Sequence, residues 1–579
     1  MTEHLYYNAA AMDLMRTTRN TLSNKTGSWR HMRPEFGLKA AACAAACPAG
    51  NPIAKFMSAA ADGRIEEALR ALKSENPLPG VCGRVCPRPC EAACNRAEFD
   101  EAVGTRAVER LLGDAEAEFG LCLPAPASKT GKRVAVVGGG PAGLSCAYHL
   151  ALSGHGATVF EAGSEPGGLL RFGIPAYRLP REVLDRELGF VGALGINMKT
   201  GSRVDAGGAA RLLEEYDAVV AATGALVSPG LGIDGEGLAG YFKGLEFLAA
   251  ANAGNAAGIG KSVIVVGGGN TAVDAARCAL RLGAEDVTVM YRRGREDMPA
   301  SDEEVAEAEE EGVKFEFYEA PAKLVGEGGK LVGAVVIRMK PGEPDESGRR
   351  RPAPEAGSER DVRADSVIEA AGGRADNPFG SALEVDDWGA TGNKKLFVCG
   401  DAAPGARTVA NAIGGGKRAA IRADVFLRGL DFEAVKRTVL VGGIGAASAA
   451  AHRAGESAPG ADGSVVRFKN VNTAYFSMTA RAAKVERLSP EARVAGFEEA
   501  SVVSGNASEI ARAEASRCFR CGECDDCGNC LVFCPDMSII GKAAAEGAAP
   551  GFDGDYCKGC GICARECPRG VIEMIEEER

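Results

Sequence analysis

Cysteines carry the most specific chemistry in this chain. The stretch CFRCGECDDCGNCLVFCP, from Cys518 to Pro535, holds six of them, separated by two, two, two, two and three residues. Four of the six, Cys524, Cys527, Cys530 and Cys534, form C-x2-C-x2-C-x3-C-P, and Cys557, Cys560, Cys563 and Cys567 before Pro568 repeat the pattern. In paired runs of this kind the first three thiolates hold one iron–sulfur cubane and the fourth crosses to the other. Cys524, Cys527, Cys530 and Cys567 are therefore expected to hold one [4Fe–4S] cluster, and Cys557, Cys560, Cys563 and Cys534 a second. Zinc pairs two C-x2-C hooks and has no use for a third cysteine two residues on. Cys518 and Cys521 are surplus to both sets.

A second group lies toward the other end. CAAACPAGNP contains Cys43 and Cys47, and CGRVCPRPCEAAC contains Cys82, Cys86, Cys90 and Cys94. Spacings of three, followed by proline, suit cubane ligands at helix ends. The intervening AAADGRIEEALRALKSENP reads as a capped amphipathic helix. Cys122, Cys146, Cys278 and Cys399 stand alone and read as packed thiols. Twenty cysteines in dense groups, in a chain large enough to build its own cores, indicate metal binding in a reducing compartment rather than disulfide staples.

Two further stretches have the make-up of dinucleotide sites. RVAVVGGGPAGLSCAYHLALSGHGATVFEAG is a strand, a glycine turn, a helix and a strand. Gly138, Gly140 and Gly143 place G-x-G-x-x-G directly after the apolar run Val134–Val137, with Pro141 and Ala142 opening the helix. The first glycine permits a tight turn, the second lets backbone approach a pyrophosphate, and the third lets the helix pack on the sheet. Glu161 ends the second strand, where a carboxylate accepts hydrogen bonds from a ribose diol. KSVIVVGGGNTAVDAARCALRLGAEDVTVMYRRG repeats the unit with Gly267, Gly269, Asn270, Thr271 and Ala272. Its second strand ends in Tyr291, Arg292 and Arg293, and guanidinium groups in place of a carboxylate favour a 2′-phosphate, hence NADP over NAD. LFVCGDAA supplies Gly400 and Asp401, an aspartate after a strand that can bind a ribityl chain. Two such units in one chain suggest a flavoprotein with one site for FAD and one for a nicotinamide nucleotide. AATGA (Thr223, Gly224) and EAAGGRAD (Gly372, Gly373) fall near the two crossings between them. A third look-alike, VLVGGIGAASAAAHRAG with Gly442 and Gly445, reads as a strand and helix without nucleotide.

These residues need an α/β scaffold of several units. At 579 residues the chain exceeds one core, and about four folding units of roughly 150 residues are expected. The boundaries read as a helical iron–sulfur domain over 1–125, a discontinuous FAD-binding domain over 126–254 and 375–430, and an NADP-binding domain inserted at 255–374. A connector over 431–515 and a small α+β two-cluster domain over 516–579 follow. The net charge of −11 offers no basic excess for nucleic acid. No run reaches about 18 apolar residues, so no membrane span is expected. MTEHLYYNAA has no basic segment before an apolar core, which together with reduced thiols points to the cytoplasm.

CPAGNPI, GRVCPRPCEAAC, VVGGGPAGL, EPGGLLRFGIPAYRLP, VVGGGNTAVD, VTVMYRRGREDMPA and CGDAAPGARTVANAIGGGKRAA together resemble the small (beta) subunit of NADPH-dependent glutamate synthase. They are also similar to the N-terminal half of dihydropyrimidine dehydrogenase, over roughly residues 35–425, with a bacterial-type ferredoxin fused behind. The resemblance implies FAD contacts from Gly138, Gly140, Gly143, Glu161, Leu169 beside Gly168, Arg178, Asp401, and Thr408 beside Val409. It implies NADPH contacts from the Gly267–Ala272 turn, Asn270, Thr271, Arg292 and Arg293. It also implies two N-terminal clusters, one of them on Cys47, Cys86 and Cys90 with a non-cysteine ligand at Glu109. Without the family, Glu109 in RAVERLL reads as a solvent-facing helix residue. The family places an RC-x2-CG pair before the first CP segment, and WRHMRPEFGLKAAACAAACP lacks it, leaving Cys43 and Cys94 as half a site. The same text stands in ASRCFRCGEC, so Cys518 and Cys521 are expected to complete that cubane, within one chain or across a dimer. Three or four clusters per chain follow.

The implied activity is electron transfer between NAD(P)H and a protein, through FAD and the clusters. That protein is a ferredoxin or a reductase or synthase subunit, in a homodimer or hetero-oligomer. No catalytic side chain is required, because the cofactors carry the chemistry; His149 and His155 receive no role. The rival reading is a nucleotide- and cluster-binding scaffold or redox-sensing subunit without turnover. Intact glycine turns, both strand-end residues and Asp401 speak against that decay.

Overall fold

The computed structural model describes residues 25–120, 123–255, 258–344, 350–380, 383–540 and 551–577. Cys122 lies outside the described residues. Two five-stranded parallel sheets form the centre. The first runs in the order Leu396–Val398, Ala218–Ala221, Arg133–Val137, Gly156–Phe160, Asn197–Lys199. Its strands are short Val/Ala runs buried almost end to end, such as Val134–Val136 and Ala218–Ala221, which suits a sheet covered by helices on both faces. The helices Pro141–Leu152 and Val409–Arg428 cover one face and touch backbone to backbone, since a Cβ on Gly416 would fall 2.1 Å from the Ala142 carbonyl oxygen.

The second sheet runs Lys314–Phe317, Asp286–Tyr291, Ser262–Val266, Ser366–Glu369, Tyr241–Lys243. An antiparallel group, Glu319–Glu327, Lys330–Pro344, Arg350–Pro354 and Arg360–Arg363, accompanies it. The expected boundary at 254/255 moves upstream. Tyr241–Lys243 pairs with Ser366–Glu369, and the helix Gly244–Asn252 buries Phe247 and Leu248 in the core of the second unit. A three-residue edge strand is too short to show a period of its own.

The N-terminal layer is helical: Ala42–Ala46, Ile53–Ala61, Ile65–Lys73, Pro79–Val85, Pro89–Ala92 and Thr105–Phe119. The helix expected between the two cysteine groups starts at Ile65, separated from its predecessor by Gly63 at φ 78°. Two assignments change at its edges. The strand Met32–Phe36 pairs antiparallel with Ile572–Glu576, so this part of the expected 1–125 domain completes the C-terminal module. The expected connector is an ordered layer. Val465–Val466 pairs with Ala40–Ala41, and the helix Ala507–Ser516 drives Ala511 and Ala515 into the N-terminal core. The Glu514 carboxylate accepts from the backbone N–H of Gly104, Ala482 and Ala483 and from Arg517. The third look-alike turns back on itself, with a lone bridge between Leu440 and Ala447 in place of a strand, followed by the helix Ala449–Ala454.

Candidate functional site

The first glycine turn is closed by backbone. Gly138 sits at φ 110°, and a Cβ there would fall 2.3 Å from the Ala222 carbonyl oxygen; a Cβ on Gly143 would fall 1.9 Å from the Gly138 oxygen. At Gly140 the nearest neighbour of such a Cβ is the Gly168 Cα at 3.9 Å, so two glycines face each other where a pyrophosphate would pass. Glu161 is 9% exposed; its Oε2 accepts from Gly139 N and its Oε1 from Gly163 N, each at 2.7 Å. Next to Gly138, the buried Thr223 hydroxyl has no hydrogen-bond partner among the described residues. Gly400 and Asp401 follow the strand Leu396–Val398, and burial raises the Asp401 carboxyl above its ordinary value against the opposing charge of Arg407. Thr408 caps the helix Val409–Arg428, accepting from Asn411 N at 3.2 Å, and Val409 is buried behind it. Leu169 opens a short helix after Gly168. Arg178 is engaged across the units, with Nη1 2.7 Å from Asp274 Oδ2 and Nη2 2.8 Å from Glu304 Oε1. The glycine cradle, the orphan hydroxyl and the two carboxylates fit an FAD.

The second turn repeats the backbone and changes the strand end. Gly267 sits at φ 150°, a Cβ there would fall 2.3 Å from the Ala370 oxygen, and Gly269 opens onto free space short of Pro299. Ala272 is buried at the third position, with Thr271 half-buried before it. Asn270 accepts from Ser301 N at 3.1 Å. A Cβ on Gly139 would meet Glu161 Oε2 at 2.9 Å; one on Gly268 would meet the Tyr291 ring at 2.4 Å. The phenol thus stands where the first unit has its carboxylate, and donates to the Asp297 carbonyl at 2.9 Å. Arg292 is exposed beside it, and Arg293 donates to the Arg350 carbonyl at 3.1 Å. Gly372, at φ 110°, is exposed with open space around it. This donor set fits a phosphorylated nicotinamide nucleotide.

The N-terminal thiols gather around two short helices, with Cys43 and Cys47 at Ala42–Ala46 and Cys90 and Cys94 at Pro89–Ala92. Glu109, on Thr105–Phe119, is 4% exposed, which replaces the solvent-facing reading. Its Oε1 accepts from Asn51 Nδ2 at 3.0 Å and Asn76 Nδ2 at 2.7 Å. Burial pushes its carboxyl up to about 8, against those two hydrogen bonds. Cys47, Cys86 and Cys90 all feel its charge, as does the buried Cys82. Sequence reasoning missed the two asparagines; each directly precedes a proline, in GNP and ENP, where the backbone is held extended.

In the C-terminal module, Cys534, Cys557, Cys560 and Cys563 line one cavity of about 290 Å³ including its open mouth. Cys530 lies in electrostatic range of Cys524, Cys527 and Cys567. Cys530 also feels Cys563 of the other set, so the two groups of thiols lie side by side. The helices Asn529–Val532 and Ile562–Arg565 each start from a left-handed glycine, Gly528 and Gly561, as an internal repeat requires. Cys527 and Cys560 are exposed, and none of the described cysteines is in a disulfide. Cys43, Cys94, Cys518 and Cys521 line a separate cavity.

A profile of pyridine nucleotide-disulphide oxidoreductases matches residues 132–416. One of dihydropyrimidine dehydrogenase domain II, with its 4Fe–4S cluster, matches 36–121, and a 4Fe–4S binding domain matches 550–573. The glutamate synthase [NADPH] small chain of Escherichia coli is 40% identical over 410 residues, covering 65% of this chain and 87% of that protein. The chain belongs to the glutamate synthase small-chain family. The NADP(+)-dependent formate dehydrogenase subunit beta of Moorella thermoacetica is 42% identical over 424 residues, 67% of this chain and 60% of that protein. The NADPH-Fe(3+) oxidoreductase subunit beta of Geobacter sulfurreducens is 43% identical over 359 residues, 60% of this chain and 53% of that protein. The chain therefore spans little more than half the length of these two relatives. The flavin–nicotinamide oxidoreductase fold and the 4Fe–4S domains toward both ends are those expected from the sequence. Among the described residues no helix is long and apolar enough to cross a membrane.

Proposed function

We propose that this chain is the NADPH-linked subunit of an electron-transfer complex, exchanging electrons between NADP(H) and a protein partner through FAD and [4Fe–4S] clusters. The observation that supports it most is the contrast between two otherwise equal turns: Glu161 closes the first, whereas Tyr291 with Arg292 and Arg293 closes the second. The first turn, with Thr223 and Asp401, holds FAD. The second orients the nicotinamide nucleotide, with the exposed Arg292 free to meet a 2′-phosphate from solvent. Bound FAD supplies the exchange between two-electron nicotinamide chemistry and one-electron clusters. Cys47, Cys86, Cys90 and Glu109 hold a cluster in the helical layer, and the two crossed sets hold the C-terminal pair. Cysteines grouped at cluster spacings suit a reducing compartment such as the cytoplasm. The partner is a protein, because the exposed Cys527 and Cys560 stand in a module that also exposes Val532, Phe533, Met537, Ile540 and Ile562. Two relatives are themselves named as beta subunits.

Anaerobic titration tests this. NADPH bleaches the flavin band within seconds and NADH does so far more slowly; Cys560→Ser keeps the bleaching and loses reduction of the co-purified partner. A native protein whose flavin ignores both nucleotides supports the scaffold reading instead.

A further inference from the structure

One cavity brings together residues from the two ends of the chain. Cys43 comes from the helix Ala42–Ala46, Cys94 follows Pro89–Ala92, and Cys518 and Cys521 follow Ala507–Ser516. The cavity measures about 390 Å³ including its open mouth, with Ile53, Val103 and Phe519 among its apolar walls and no carboxylate lining it. Cys43 lies in electrostatic range of Cys94, Cys518 and Cys521 together. Two N–H groups already point at its sulfurs: Asn95 Nδ2 donates to Cys521 Sγ and Arg520 N to Cys518 Sγ, each at 3.3 Å. Arg520 takes a left-handed φ of 51° at that turn.

The cavity has a counterpart in the same molecule. Cys534, Cys557, Cys560 and Cys563 line the second cavity, three of them inside the stretch matched as a 4Fe–4S binding domain, and there too a backbone N–H, that of Ser538, donates to a cysteine sulfur at 3.3 Å. Among the described residues no three His, Cys, Asp or Glu form a group that could hold a single metal ion, in either cavity. Four thiols lining one cavity match the four-thiolate set of a cubane, as in the second cavity. We infer that Cys43, Cys94, Cys518 and Cys521 hold a further [4Fe–4S] cluster, assembled within one chain from its two ends.

The placement gives this cluster a neighbour on each side. Cys43 and Cys47 are four residues apart, as are Cys90 and Cys94, so the same two helices serve it and the set Cys47, Cys86 and Cys90. On the other side Gly522 N donates to the Arg569 carbonyl at 2.8 Å, tying the turn after Cys521 to the residue two beyond Cys567. The cluster joins the helical layer to the C-terminal module and makes one ladder of four sites.

The test uses the full chain, reconstituted anaerobically with iron and sulfide and assayed for iron, zinc, FAD and electron paramagnetic resonance after reduction. Four cubanes give about sixteen irons per chain and three give about twelve. Cys94→Ser and Cys521→Ser, changed far apart in sequence, are each expected to lose about four irons and the same paramagnetic signal while keeping native FAD. Cys146→Ser, a buried thiol of the flavin core, is expected to keep every iron. Native protein with about twelve irons, one zinc per chain, or variants that keep the native iron count and spectrum overturn the assignment. Where a variant loses FAD as well, the native iron and zinc counts decide.

Discussion

The two dinucleotide units share a backbone and differ in what stands behind it. Gly138 and Gly267 both hold left-handed turns against a carbonyl of the neighbouring strand end, Ala222 and Ala370. Behind the first turn a buried carboxylate grips two backbone N–H groups; behind the second a phenol ring fills the same place and leaves an exposed arginine at the rim. The glycine turns are alike in both, and in the function proposed above ligand choice rests on one or two side chains at the strand end.

That division can be broken most sharply in the first unit. Gly143→Val would drive a branched side chain into the Gly138 carbonyl, where even a Cβ would sit at 1.9 Å. The expected result is loss of nearly all FAD, read from the flavin-to-protein absorbance ratio. Ala272→Val in the second unit is expected to spare FAD, and flavin loss there would show that the two cradles do not fold independently.

The second unit has its own buried lock. Glu311 accepts from Arg277 Nη2 at 2.6 Å and from Arg281 Nη1 at 2.7 Å. Burial raises its carboxyl, but the hydrogen bonds and charges of the two arginines outweigh that and hold it below the ordinary value of 4.5. Its contribution is therefore present in full above about pH 4.5 and lost as pH falls through the lowered value. Glu311→Gln should cost about 3 kcal/mol at neutral pH, with the two unfolding curves converging as pH falls through the lowered value; a constant gap across the acid range would refute the linkage.

Selectivity should respond more gently. Arg292→Ala is expected to raise the KM for NADPH about tenfold and leave NADH nearly unchanged, as for one charge-assisted hydrogen bond of about 1.5 kcal/mol. Equal loss with both nucleotides would move the phosphate site elsewhere. Smallest of all, Tyr291→Phe removes only the bond to the Asp297 carbonyl and should change either KM by about threefold or less.

Local patterns made much of this legible. Cysteine spacing carried the two C-terminal groups of thiols, and each glycine turn carried its strand and helix. What stayed hidden was long-range. Nothing near Met32 signals a partner at Glu576, because a five-residue strand shows no preference among distant edges. Glu109 looked exposed because its helix pattern cannot reveal that Asn51 and Asn76 close over it. The layer over 431–515 looked unpatterned because its elements are mostly two to ten residues long and are stabilised by other parts of the chain. Arg178 showed its motif but not its partners, since Asp274 and Glu304 lie in the inserted unit.

The pairing of Met32–Phe36 with Ile572–Glu576 also sets a clock. More than 500 residues separate the two strands, so at ribosomal speeds of about 5–20 residues per second the first waits from roughly half a minute to nearly two minutes for its partner to be made. The central sheets can close during that interval; the small sheet that seats the C-terminal module cannot. Maturation is thereby ordered, with the nucleotide-binding body forming on the nascent chain and the C-terminal cysteine module seated only after translation has passed Ile572. A chain stalled before that point keeps Met32–Phe36 without the strand it pairs with.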